Sequence, residues 1–199
     1  MLTAVLQSIQ EELAPYQTKL VAVSKTYPKE VLQAAYECGQ RDFGENRVQE
    51  VVEKAAALPK DIVWHFIGHL QTNKVKYIAP FVDVIHAVDS FKLLKEINKR
   101  AAANERVINV LLQFKIAEED TKYGYDDADI FSMLDELPWQ DFQHVRIVGV
   151  MGMATFTEDK EQVDQEFSQL KIYFDRLKAT YFENEPSFKE ISMGMSGDY

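Results

Sequence analysis

Short β-branched runs alternate with stretches of helical spacing along this chain. The extended runs fall at 20–24, 42–44, 63–67, 82–86, 107–114, 145–151 and 188–192, seven in all. Between them, apolar residues recur at helical intervals: Val31, Leu32 and Ala35; Val48, Val51, Val52 and Ala55; Leu93, Leu94 and Ile97; and Val163, Phe167, Leu170, Phe174, Leu177 and Tyr181. Spacing of three and four places each set on one face of a helix. The first residues, 1–17, repeat Leu2, Leu6, Ile9 and Leu13 around Glu11 and Glu12, which predicts a surface helix rather than a signal peptide. Regular strand–helix alternation predicts a parallel sheet with covering helices, either doubly wound or closed into a barrel. No G-x-G-x-x-G follows the first strand and no phosphate-loop motif occurs, so the α/β barrel is preferred. A TIM-type (β/α)8 barrel needs one more strand and helix than these runs supply, and the sequence reaches Tyr199 soon after the seventh. The expectation is therefore a barrel lacking its eighth strand and last helix, with open edges at strands one and seven and a gap beside Ser192.

Composition narrows the class. With 199 residues, 46% of them hydrophobic, and only 8 glycines and 6 prolines, the chain fits one compact domain over 1–199. No run matches a membrane span. The single cysteine, Cys38, cannot form an internal disulfide and sits where a helix ends before Gly39, which suits a reducing cytoplasm. A formal charge of −10 disfavours general binding to nucleic acid or anionic membrane, but not to a small anion held by a few backbone N–H groups.

The most informative candidate is Lys25. It follows the apolar run at 20–24 and precedes Thr26-Tyr27-Pro28, so an amine stands at the carboxyl end of a strand, where parallel α/β folds bind ligands. A buried amine resists its charge, and a neutral lysine is a Schiff-base nucleophile; the alternative is a lysine snorkelling to solvent. In Phe43-Gly44-Glu45-Asn46-Arg47-Val48-Gln49-Glu50, Gly44 permits close backbone approach. Asn46 either caps the following helix or points its amide into the barrel mouth, while Glu45 and Glu50 suit solvated charges at a helix start. His65 and His69 have zinc-helix spacing, but one lies in a strand, the other follows Gly68, and the glutamate of H-E-x-x-H is missing. Asn73 and Lys74 are either solvent-facing or on the ligand-entry face. After the seventh strand, Ser192-Met193-Gly194-Met195-Ser196 offers a hydroxyl and unshielded amides where barrels hold phosphate, or else makes an ordinary turn. Met151 and Met153 either face a flat ring or fill the core, and Lys122 sits in a charged loop after strand five.

Four segments in this order resemble one family: Val23-Ser24-Lys25-Thr26, the FGEN-x-x-QE segment at 43–50, the HFIG-x-LQ-x-NK segment at 65–74, and SMGMS at 192–196. It is the pyridoxal phosphate homeostasis protein family, also described as alanine racemase N-terminal-like or proline-synthetase-co-transcribed. The resemblance runs from about residue 19 to the last residue. It implies a barrel that holds pyridoxal 5′-phosphate, with Lys25 forming the covalent aldimine, Asn46 lining the pocket, and Ser192 with the amides of Met193 and Gly194 on the phosphate. The family's later Gly-Ser-Thr turn and Arg-Ile-Gly strand are absent from these 199 residues.

The resemblance implies a non-catalytic, cytoplasmic carrier or buffer of pyridoxal phosphate in its intracellular homeostasis, with no metal and no catalytic residue. Its partners would be the small-molecule cofactor and pyridoxal-dependent apoenzymes, and the protein is expected to be monomeric. The alternative is a pyridoxal-dependent amino-acid racemase, since the same barrel carries the cofactor in alanine racemase. Racemisation requires acid–base groups on both faces of the substrate. A cofactor-free interaction protein is the third reading.

Overall fold

The computed structural model describes residues 2–117 and 123–195. Lys122 and Ser196, named above, lie outside them. Helix α1 (Leu2–Leu13) precedes strand β1 (Ala22–Val23), and the chain then runs α2 (Lys29–Glu37), β2 (Asp42–Glu45), α3 (Val48–Ala57), β3 (Val63–Phe66) and α4 (Val75–Ile78). It continues through β4 (Val84–Val88), α5 (Phe91–Ala102), β5 (Ile108–Phe114), α6 (Asp127–Glu136), β6 (Val145–Gly152), α7 (Lys160–Thr180) and β7 (Glu190–Ser192). All seven strands are parallel and pair in sequence order, β1 next to β2 and so on to β7.

The seven predicted strands are all present, with altered bounds. Strand β1 keeps only two residues of 20–24, and β4 begins two residues later than the predicted 82–86. Val82 is instead fully buried ahead of β4, where its N–H reaches the Ile78 carbonyl. Among the described residues β1 and β7 each pair on one side only, as expected of the open sheet.

Two cores flank the sheet. The outer one buries Phe43, Phe66, Ile85, Val110, Leu112 and Phe114 against helix residues such as Leu32, Val51, Leu94 and Ile97. On β5 the residues facing the helices are Ile108, Val110, Leu112 and Phe114, the period of two that a pleated strand imposes. The inner core is small: Leu111, Val148 and Met151, with Val84 and Met153 against them. Core filling is therefore what Met151 does here. No helix among the described residues is long and apolar enough to cross a membrane.

The sheet curls. In a flat sheet β4 and β7 would stand roughly 14 Å apart, three strand spacings. Yet His86 Nδ1 on β4 lies 2.8 Å from Ser192 Oγ on β7, which is attainable only if the strands bend around a common interior. Two features fix β7 in that curve. Gly149 on β6 lies so close to Glu190 that a side chain there would collide with the Glu190 carbonyl. Behind β7, Phe188 stacks on Phe182 at 4.2 Å and on Phe174 at 5.0 Å between ring centroids, tying the strand to α7.

Candidate ligand site at the strand ends

Lys25 lies just past the end of β1. It sits in a turn and is exposed, so the expected cost of burying its charge does not arise. Its amine has no hydrogen-bond or ion-pair partner among the described residues, in contrast to the turn that carries it, which is anchored from below. Thr26 adopts a left-handed φ of 68°, a conformation uncommon for a β-branched residue and sustained only where neighbours hold it. The Thr26 N–H donates to Glu50 Oε2 at 3.0 Å. Ser24, buried, donates its hydroxyl to Glu45 Oε1 at 2.6 Å, and Lys54 Nζ donates to that same oxygen at 2.6 Å and to the Ser24 carbonyl at 2.9 Å.

The two glutamates of the FGEN-x-x-QE segment thus differ from the expected solvated charges. Glu45 is wholly buried, paired with the nearly buried Lys54, and its Oε2 has no partner among the described residues. Glu50 is partly exposed; the Thr26 N–H bond holds its carboxyl below the usual range, against a smaller opposing effect of burial and with Lys54 and Arg47 assisting. Lys54 was not singled out from sequence. Its Glu50 partner four residues earlier was legible as a helical pair, but its bond to Glu45 depends on how α3 folds back over β2.

Asn46 does not cap α3. The N-cap position is Arg47, which makes no side-chain cap bond. The Asn46 side chain is half-buried, with its amide unpartnered among the described residues. Its place is set by Gly68: a side chain at 68 would lie 2.6 Å from the Asn46 carbonyl oxygen. The glycine of the HFIG segment therefore serves to let the end of β3 approach the Asn46 backbone.

A chain of polar side chains crosses the interior of the sheet. His65 Nε2 lies 2.9 Å from Asp42 Oδ1, His65 Nδ1 lies 2.8 Å from His86 Nε2, and His86 Nδ1 lies 2.8 Å from Ser192 Oγ. Both imidazoles are buried, and Lys19 closes the far end at 3.2 Å from Asp42. Burial pushes the His86 pKa down to about 3, with repulsion from His65 adding to it. Burial raises the Asp42 carboxyl, but the His65 bond and the Lys19 charge outweigh it and leave it below the usual value. No group of three or more metal-ligating side chains occurs among the described residues. His65 and His69 diverge: His69 bonds Asp89 at 3.1 Å and stacks on Tyr123 with centroids 3.9 Å apart. His86 escaped sequence reading because one histidine in an apolar strand carries no motif; only the inward period it shares with Val84 hinted at the interior.

At the end of β7, Ser192 is half-buried; beyond it Met193 is exposed, and Gly194 has φ 82° with open space where a side chain would be. The amides that the resemblance assigns to phosphate, those of Met193 and Gly194, lie outside helix and strand. Asn73 lines a groove beside α5 with Lys92, Lys95 and Phe142, away from Lys25 and Ser192.

The model of the alanine racemase N-terminal domain matches residues 2–199. The chain belongs to that family. A pyridoxal phosphate homeostasis protein of Aquifex aeolicus is 40% identical over 185 residues, covering 91% of this chain and 78% of the relative. Among solved structures, PipY of Synechococcus elongatus without pyridoxal phosphate superposes with a TM-score of 0.90 at 34% identity, covering 100% of this chain and 91% of PipY. PipY with pyridoxal phosphate bound gives 0.86 at 33% identity over the same shares. The fold expected from the strand–helix alternation is the fold of this family, here as a curled sheet of seven strands.

Proposed function

We propose that this protein binds pyridoxal 5′-phosphate reversibly at the mouth of the curled sheet and serves its homeostasis in the cytoplasm as a carrier or buffer, all within one domain spanning 1–199. The observation that carries the reading is the exposed, unpartnered amine of Lys25 at the end of β1, on a turn held by the buried Ser24–Glu45–Lys54 network. The relatives named for pyridoxal phosphate homeostasis, and PipY with the cofactor bound, support it.

The residues present suit the group. Lys25 would hold the aldehyde end, the unpaired amide of Asn46 would meet a ring substituent, and the Ser192 hydroxyl with the open Met193–Gly194 backbone would take the phosphate. When bound, the cofactor supplies an electrophilic aldehyde to amines. What the chain adds is position and access. Lys25 is exposed, so water reaches the amine, which suits exchange with other proteins and opposes the exclusion of solvent that carbanion chemistry exploits. Apoenzymes that need the cofactor would be its recipients.

Purified protein mixed with pyridoxal phosphate should develop a visible absorbance band, and borohydride should fix the label on Lys25. Labelling of other lysines with Lys25 unmodified would remove the assignment. Rapid exchange of the α-proton of alanine, serine or glutamate in deuterated water, at catalytic protein levels, would replace the carrier by a racemase.

A further inference from the structure

The polar chain Asp42–His65–His86–Ser192 has two self-consistent proton arrangements, and they present opposite faces of the Ser192 hydroxyl to a ligand. We infer that this chain is a proton-coupled switch that turns Ser192 from a hydrogen-bond acceptor into a donor when a phosphate ester binds. The inference rests on the cofactor reading above.

The arrangements follow from donor arithmetic. Asp42 is a carboxylate, so His65 Nε2 carries the proton of their 2.9 Å contact. If His65 is neutral, its Nδ1 is an acceptor and His86 Nε2 must donate across the 2.8 Å contact. His86 Nδ1 is then bare, and Ser192 spends its only proton on it at 2.8 Å. The hydroxyl can only accept from a ligand, which is the wrong polarity for a phosphate dianion.

One added proton reverses the two bonds beyond His65, while His65 Nε2 goes on donating to Asp42. Ser192 Oγ receives it from solvent while handing its own proton to His86 Nδ1, and His86 Nε2 passes its proton to His65 Nδ1. His65 becomes the imidazolium between the Asp42 carboxylate and the neutral His86, and Ser192 points its O–H outward. No group other than His65 gains charge. The chain is wired for this location of the charge: both imidazoles are buried, but His65 has the Asp42 carboxylate beside it, whereas His86 has His65 and Ser192 as partners and its second protonation is strongly opposed.

The other charged and titratable groups around the chain are few. Lys19, ahead of β1, touches Asp42. Lys25 lies in the turn after β1, Arg146 is the second residue of β6, and Glu190 lies two residues before Ser192; all three are exposed. Strand β5 contributes Leu111 and the neutral Gln113. Asp42, His65 and His86 are on this view positioning residues that act through Ser192.

By linkage, the phosphate-bearing ligand must take up a proton, and its affinity must fall as pH rises through the midpoint of the free chain. The test uses protein with 15N-labelled histidine, titrated with pyridoxal 5′-phosphate and, separately, with pyridoxal, which has the aldehyde but no phosphate. Expected is a change of His86 from Nε2-protonated to Nδ1-protonated, and of His65 to doubly protonated, with pyridoxal phosphate only. Above pH 7, where the ester is a dianion, the dissociation constant for pyridoxal phosphate relative to that for pyridoxal should rise by up to about tenfold per pH unit. In His65→Gln that dependence should be lost. Saturation of the visible band with no change at either imidazole, or a pH dependence identical for both compounds, overturns the switch and leaves the cofactor reading standing. Absence of any band with either compound overturns both.

Discussion

Replacing Lys54 by methionine removes the only cation that touches the fully buried Glu45 carboxylate among the described residues. Glu45 would keep the Ser24 hydroxyl on Oε1, lose the 2.6 Å bond from Lys54, and retain an Oε2 that has no partner even in the intact protein. The Ser24 carbonyl would lose its 2.9 Å donor as well. Breaking a buried pair from one side costs about 3–5 kcal/mol, because the remaining charge stays desolvated without compensation. With a urea slope of about 2 kcal/mol/M, the unfolding midpoint should drop by roughly 1.5–2.5 M at unchanged slope. Removing both charges is a different case. Glu45→Leu combined with Lys54→Met should return to within about 1 kcal/mol of the parent, since apolar pairs of similar volume replace buried ion pairs with little loss. The fate of the Lys25 turn separates the two variants further: Thr26 still has Glu50, so borohydride labelling of Lys25 should persist in the double variant once it is folded. A single variant within about 1 kcal/mol of the parent, or a double variant as unstable as the single one, refutes this account of the network.

Gly149→Ala should cost about 1–3 kcal/mol by forcing β7 off β6, and should weaken pyridoxal phosphate binding more than pyridoxal binding, because Ser192 moves with β7; equal weakening of both would place Ser192 away from the phosphate. Stability should fall as pH drops below about 6.5, the unfolded histidine value, toward the folded His86 value of about 3. The unfolded chain binds a proton at His86 that the folded one refuses, a loss on the order of 5 kcal/mol spread over that window. Asp42 and Glu50, both held below their usual values, add further loss as pH falls through their folded range. Urea midpoints between pH 7 and pH 4 measure this, and His86→Asn should flatten the slope; a parent midpoint independent of pH would mean His86 is charged in the folded state.

What could be read from the sequence was whatever depends on local period. The alternation of residues such as Ile108, Val110 and Leu112 fixed β5, and the spacing of Leu170 and Leu177 fixed α7, because in each case one face is buried in the outer core. The start of β4 was misplaced, because Val82 is apolar for a different reason: it packs beneath the preceding turn rather than in the ladder. The site was legible in part. Lys25 was found from its place after an apolar run, yet its exposure depends on the turn at Thr26, whose left-handed backbone a β-branched residue does not announce. Glu45 was misread as solvated because its neighbour Lys54 comes from the middle of a helix nine residues on. The histidine chain joins residues 23, 21 and 106 positions apart; the first two contacts link neighbouring strands, and the third, from β4 to β7, exists only because the sheet curls.

On the cofactor reading proposed above, the curl joins two edges into one site. Lys25 stands just past β1 and Ser192 ends β7, strands at opposite sides of the same sheet. Nothing in the pairing order would bring them together; only curvature would. The 2.8 Å contact between His86 and Ser192 spans from the middle strand to one edge, whereas the Asp42–His65 and His65–His86 contacts join neighbouring strands. The same four side chains therefore tie β2 through β4 to β7 and, on the inference above, set the polarity of Ser192. A ligand bonded at both edges would strengthen the curvature on which its own site depends, so binding and the order of the interior must rise together. Hydrogen exchange at the amides of β7 should slow when pyridoxal phosphate is bound, and slow less with pyridoxal, which bridges from Lys25 but has no phosphate to reach Ser192. Equal protection of β7 by the two compounds would mean that the edges close without the phosphate, and that the histidine chain serves the fold alone.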